Sequence, residues 1–459
     1  MDSPSSRKLD LLTLHHQDPV HAGLNLSRRS LLAAVPAVAA LAAFTPRAGA
    51  AGTTIDASKY PSLQAAIDAA PDGATITAPL SFQTLGDAKL DSRNGIQLTG
   101  LSISGRLTLN YCTNVTISNC RIVTPDIGIW MVRCTTCTVS SCTLSGCTLG
   151  GYSPSGCVFT KNTITNASGN AISFAGYDAA PALNNKYTAN VIQNCGRIGI
   201  EEYPTEGTDS CRGTVIDGNR ITTATSMGIS AVGMNPTITN NTIQNAGWTG
   251  IEVLGNYAYI SGNNISSTNY SGAGICVNST DPSFPDAKTT VTGNTLTGLG
   301  TGITLIAQKQ EAPLRNVTVS SNTLTNCADF GIIGLNGYEA GGNQINSNTF
   351  SLTAPTQANR NRIALKTGNN ISLSGNKITY KPNSAGVSVD MPIHLVGNNV
   401  KLSNTVVDGG WRTKNLLPSA SVAPAGSYTG WQYINNRYIN GAKINKLGTV
   451  ATVDSDRNW

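Results

Sequence analysis

One phrase recurs along the chain from residue 114: VTISNCRI, CTVSSCTL, CVFTKNTI, TVIDGNRI, TITNNTI, YISGNNI, TVTGNTL, VTVSSNTL, QINSNTF, ISLSGNKI and VKLSNTVV. Each copy has apolar residues at alternate positions, the period of a strand with one buried face. Superposing the copies puts an asparagine in one column: Asn162, Asn190, Asn219, Asn241, Asn263, Asn294, Asn322, Asn348, Asn376 and Asn404, with Asn436 resuming it after a break. The spacing is 20 to 31 residues, so the unit is a coil with loops of variable length. A second strand follows each asparagine and opens on Gly-Ile, as at Gly128-Ile129, Gly199-Ile200, Gly228-Ile229, Gly250-Ile251, Gly274-Ile275, Gly302-Ile303 and Gly331-Ile332.

Two or three short strands per period, with no room for a helix, describe an all-β, single-stranded parallel β-helix of about 12–14 coils. One coil cannot bury its apolar side alone, whereas a stack buries a continuous core. Stacked asparagines satisfy one another and the turn backbone, so their role is structural. With only 12% charged and 6% aromatic residues and 47 glycines, the composition excludes a helical or doubly wound enzyme.

An open solenoid end needs a cover. Pro61 to Gly73, PSLQAAIDAAPDG, places Leu63, Ala66, Ile67 and Ala70 at helical spacing after Ser62, which predicts an N-terminal capping helix. The expected division is 51–90 for the cap and first strands, 91–410 for the β-helix, and 411–459 for an irregular segment, a last coil and a tail. That tail covers the end or meets another copy.

Cap, asparagine column and Gly-Ile coils together resemble the pectate-lyase-like right-handed parallel β-helix superfamily over most of residues 52–445. The resemblance implies a right-handed coil and a carbohydrate cleft on an outer strand face. The Asn-Thr-Asp, Asp-Asp, Gly-His-Gly and Arg-Ile-Lys series of polygalacturonases is absent, as is the Trp-Ile-Asp-His of pectate lyases. No catalytic residue carries over from either group.

Residues 1–50 read as a cleaved signal: Ser27-Arg28-Arg29-Ser30-Leu31-Leu32 precedes a short apolar run and Ala48-Gly49-Ala50. This resembles a twin-arginine translocation signal, which implies folding before export to the periplasm or the extracellular space. The mature chain then has no membrane segment, and its diffuse, mildly basic charge does not suit nucleic acid. Seven of the 11 cysteines fall between Cys112 and Cys157. Cys120 and Cys142 take the asparagine position and Cys137 and Cys157 share a second column, so stacked thiols are preferred to disulfides. A multi-histidine metal site is excluded, since His394 is the one histidine beyond residue 50.

After each Gly-Ile the isoleucine points inward and the next residue outward. The outward row is Trp130, Ser173, Glu201, Ser230, Glu252, Thr304 and Ser388; the next row, Met131, Phe174, Ala231, Val253, Leu305 and Val389, points inward. Glu202 breaks that inward row, so it is either turned out by a bulge or is an interior carboxylate with partners. Glu201 and Glu252 are expected exposed in one column, two coils apart, a spacing that fits the acid and base of an inverting glycosidase. Loops after the Gly-Ile strands should wall a groove there, with Tyr177, Asp178, Tyr203, Trp248, Lys309, Arg315 and Tyr338 offering stacking faces and charges.

The expected partner is a polysaccharide or oligosaccharide, and the expected activity is glycosidic hydrolysis by Glu201, Glu252 and Glu202 without a cofactor. Two alternatives stand beside it. One is a lyase or uronan epimerase using Tyr203, Lys309 or Arg315, with Ca²⁺ on Asp178, Glu201 and Asp209. The other is a β-helix that binds glycan without catalysis.

Overall fold

The structure is a computed structural model that describes residues 52–79, 81–205, 208–254, 257–279, 288–307, 313–335, 341–353, 363–366, 369–381, 393–395, 398–408, 419–422, 428–440, 443–445 and 449–458. The signal-like residues 1–50 lie outside them. Across the described part the chain is an all-β parallel solenoid. One face carries 17 stacked parallel strands.

Three consecutive coils show the plan. Lys186–Thr188, Val191–Cys195 and Ile198–Pro204 are followed by Val215–Asp217, Arg220–Ala224 and Met227–Ala231, then by Thr237–Thr239, Thr242–Gln244 and Thr249–Val253. Each strand pairs in parallel with its counterpart one coil on, so Ile192 sits over Ile221 and Ile243, and Ile200 over Ile229 and Ile251. These isoleucines are fully buried and fill the solenoid interior.

The asparagine column is a hydrogen-bonded ladder. Asn241 Nδ2 donates to Asn263 Oδ1 and to Ile216 O, both at 2.9 Å, while its own Oδ1 accepts from Asn219 N and Nδ2 at 2.9 Å. The residue before each ladder asparagine turns the corner in the left-handed region, as at Ala189 and Asn240, which is why Gly, Asn or Ser so often precedes it. Asn404 is a correction. It occupies that corner, exposed at φ 48°, and the buried Thr405 holds the ladder position, its N–H donating to Asn436 Oδ1. VKLSNTVV pairs with ISLSGNKI without a shift, so Asn404 takes the corner position of Gly375 and Thr405 the ladder position of Asn376; aligning by asparagine there displaces the register by one residue.

The Gly-Ile signal has a steric cause. A Cβ on Gly250 would meet Gly274 O and Ile265 Cγ2, each at 2.6 Å, and one on Gly228 would meet Gly250 O and Ile243 Cγ2, each at 2.7 Å. Successive coils therefore close on a column that only glycine fits.

Ser62 caps the helix Leu63–Ala69, its hydroxyl accepting from Ala65 N, and Leu63, Ala66 and Ile67 are buried over the first coil. Arg93 closes the other end, donating to Ile67 O and Ala70 O while pairing with Asp72 at 2.7 Å. At the far end the strand Thr449–Asp454 continues the stack, and Asp456 Oδ1 accepts from Asn436 N and Nδ2, terminating the ladder. All eleven cysteines are buried free thiols. Cys142 N donates to Asn162 Oδ1 and Cys157 N to Asn185 Oδ1, so both cysteine columns run directly into asparagines.

Candidate functional site

Strand register brings the two expected glutamates into one column. Ser173 pairs with Glu201, Glu201 with Ser230, Ser230 with Glu252, and Glu252 with Cys276. Their inward neighbours Ile200, Ile229, Ile251 and Ile275 are fully buried, which fixes this column on the outer face. Two rungs at ~4.8 Å set the glutamate Cα atoms about 10 Å apart. Exposure differs from expectation: Glu201 is 8% and Glu252 6% exposed, so both are recessed rather than open. Glu201 is drawn back along the stack because its Oε2 accepts from Asn170 Nδ2 at 2.5 Å and Ser173 Oγ at 2.7 Å. Ser230 Oγ reaches Glu252 Oε2 at 3.4 Å. Cys276 is pushed up from the usual thiol range, first by burial and then by the charge of Glu252.

Glu202 points inward, and no bulge is involved, since its pairing with Phe174 and Ala231 runs without a register shift. It is 1% exposed. Oε2 accepts from Tyr187 Oη at 2.6 Å and Asn185 Nδ2 at 3.2 Å, and Oε1 meets Thr214 Oγ1. One coil earlier the same two columns hold Phe159 and Phe174, stacked at 4.6 Å; here Tyr187 and Glu202 replace that pair with a hydrogen bond across the interior. Burial lifts the Glu202 carboxyl above its ordinary range, with the three hydrogen bonds pulling the other way. Burial and then the Glu202 charge push the Tyr187 phenol well up. Glu202 therefore belongs to the core and not to the outer column with Glu201.

Of the expected groove residues, Tyr203 and Tyr177 come together. Tyr152 packs against Trp130 edge-on at 5.1 Å and against Tyr177 at 5.5 Å. Burial, then the charges of Glu201, Tyr152 and Tyr177, hold the Tyr203 phenol above its usual range. Asp178 is exposed on the turn closed by Tyr177 and Ala180. Trp248 does not join them: it leads into Thr249–Val253 at the opposite end from the Tyr203 column. Arg315 precedes Thr318–Ser320, in the coil of Thr304, two rungs beyond Glu252. Lys309, Tyr338 and Ser388 lie outside the described residues. Asp209 pairs with Arg212 at 2.5 Å. Among the described residues no three acidic, histidine or cysteine side chains converge as a metal site, so the set Asp178, Glu201 and Asp209 is not assembled.

Sequence reasoning placed Trp130 in the outward row without a binding role and missed Tyr152, whose strand reads LGGY and lacks the Gly-Ile signal. It also missed Asn185, Tyr187 and Thr214. Asn185 was readable as the next member of the Cys137 and Cys157 column.

The family model for the right handed β-helix region matches residues 128–296. No curated protein matches the chain. Among solved structures, the chain is similar to a double mutant of the tailspike protein of E. coli bacteriophage HK620 in complex with a pentasaccharide. The TM-score is 0.52 at 14% identity, covering 87% of this chain and 77% of that one. A second double mutant of the same tailspike protein gives 0.51 at 14% identity, with 87% and 77% covered. The fold is thus a right-handed parallel β-helix. At this identity the likeness speaks for the fold alone. Among the described residues no helix is long and apolar enough to cross a membrane.

Proposed function

We propose that the protein is an exported carbohydrate-active enzyme that hydrolyses glycosidic bonds of a polysaccharide or oligosaccharide. The observation that carries this reading is the outer column Glu201, Ser230, Glu252, in which a small residue separates two recessed carboxylates beside a cluster of aromatic rings. A separation of about 10 Å between backbones lets side chains bring the carboxyls to the roughly 6.5–9.5 Å of inverting glycosidases. One glutamate protonates the departing glycosidic oxygen while the other takes a proton from the attacking water, and recession in the cleft favours the proton transfers. Export by the twin-arginine route is part of the same proposal and rests on Arg28 and Arg29.

The test is incubation of the mature protein with a glycan panel. New reducing ends without ultraviolet absorbance are the expected result, and Glu201→Gln and Glu252→Gln should each slow their release by roughly 10²–10⁴-fold. New ends carrying the absorbance of an unsaturated uronate would replace hydrolysis by lyase chemistry. No product from any glycan, with binding intact in both variants, would leave a non-catalytic glycan-binding β-helix.

A further inference from the structure

We infer that Trp130, Tyr152, Tyr177 and Tyr203 form a stacking wall for uncharged sugar rings, on the N-terminal side of the glutamate pair. The inference rests on the hydrolytic reading above and deepens it by naming the substrate class.

Trp130 stands in the same outer column as Glu201, three rungs earlier, through Gly150 and Ser173. Tyr152 and Tyr203 share the column two residues further along their strands, separated by Ala175. Large rings thus alternate with Gly150, Ser173 and Ala175, which leaves gaps between the aromatic faces. All four rings are half-buried, whereas the interior aromatics Phe159, Phe174 and Tyr187 are fully buried. The core therefore does not claim them. The outward column through Thr116, Thr138, Val158, Lys186, Val215, Thr237, Tyr259, Thr290 and Thr318 carries a single ring, the exposed Tyr259, whereas four rings gather here.

An aromatic face attracts the C–H face of a sugar without needing charge on it. The charges that do border the wall select further. Glu201 lies at one end and Asp178 on the adjoining turn, while Arg197 acts on Tyr203 and Arg133, directly after the Trp130 strand, donates its backbone N–H to Tyr152 O. The two cations do not outnumber the two acids, so a chain of uronates gains no net attraction along the wall, whereas a neutral glycan needs none. Three rungs at ~4.8 Å carry the wall about 14 Å from Glu201. That length holds several sugar rings beyond the cleaved bond and favours long substrates over disaccharides.

The experiment uses the full mature chain with Glu201→Gln, to prevent turnover, and titrates cellohexaose, maltohexaose, mannohexaose, xylohexaose and hexagalacturonate by calorimetry and tryptophan fluorescence. At least one neutral hexasaccharide should bind more tightly than its own disaccharide. Trp130→Ala and Tyr152→Ala should each weaken that binding roughly two- to tenfold, and Trp130→Phe should retain most of it. Unchanged circular dichroism melts in the alanine variants exclude misfolding as the cause. No binding of any neutral hexasaccharide, binding of hexagalacturonate alone, or unaltered affinity in both alanine variants would overturn the wall. Binding lost with these rings in a chain that cleaves nothing keeps the wall and removes the glutamate mechanism. Cleavage with kcat/KM untouched by Trp130→Ala and Tyr152→Ala does the reverse.

Discussion

Replacing Glu202 separates the two members of the acidic pair. In Glu202→Gln the side-chain oxygen still accepts from Tyr187 Oη and Asn185 Nδ2, and the new amide donates to Thr214 Oγ1, so all three contacts survive. In Glu202→Ala, Asn185 Nδ2 keeps Pro154 O at 2.9 Å, but the hydroxyls of Tyr187 and Thr214 lose the partner they share. At about 1–3 kcal/mol for each unsatisfied group, the alanine variant should lose roughly 2–6 kcal/mol before any cavity is counted. The pH dependence has a definite sign. Burial raises the folded pKa of Glu202 above the unfolded value, so its contribution is fully present below about pH 4.3 and is lost as pH rises through the folded pKa. Glutamine does not titrate, so its stability relative to wild type should grow between pH 4 and pH 8 by about 1.36 kcal/mol for each unit of elevation. Urea unfolding of the three proteins at pH 4, 6 and 8 measures this directly. Glutamine as damaging as alanine, or a difference from wild type that does not move with pH, would refute the account of an interior carboxylate whose pKa burial raises. Glycan cleavage should survive Glu202→Gln, in contrast to Glu201→Gln.

Two further predictions concern the ladder and the N-terminus. Asn241→Ala leaves Ile216 O and Asn219 N without their side-chain partner and should cost roughly 2–4 kcal/mol. Asn241→Asp should cost more at pH 7, because an ionised carboxylate faces the acceptors Ile216 O and Asn263 Oδ1, and less near pH 3; thermal melts at the two pH values report both. Replacing Arg28 and Arg29 together with lysine should leave the full-length chain in the cytoplasm, seen by fractionation, and unhindered export of that variant would remove the twin-arginine assignment.

The features legible in the sequence are those that repeat with the stack. Asn162 through Asn376 could be aligned because each ladder amide must meet the next, which forces one residue type into one column. At Asn404 asparagine identity misleads by one position, because an asparagine fills the left-handed corner that glycine fills one coil earlier and Thr405 takes the ladder position. Glu202 was recognisable as a misfit because strand periodicity assigns every second residue to the interior. Its partners were not, since Tyr187 belongs to a different strand, Asn185 to the turn before that strand and Thr214 to the next coil, and only the cross-section of the solenoid joins them. Recession of Glu201 likewise depends on Asn170, thirty-one residues earlier in sequence. Trp248 and Tyr152 fail for the same reason in opposite directions. The register relates residues along the axis, whereas the position of a residue around the coil is set by turn lengths that vary from one repeat to the next. A β-helix can therefore hold its core constant and change its surface chemistry by altering single outward residues. Glu201 and Glu252 differ from the Ser173 and Ser230 of their column in that way, and the acidic pair of residues 201 and 202 has one carboxyl on each side of the same sheet.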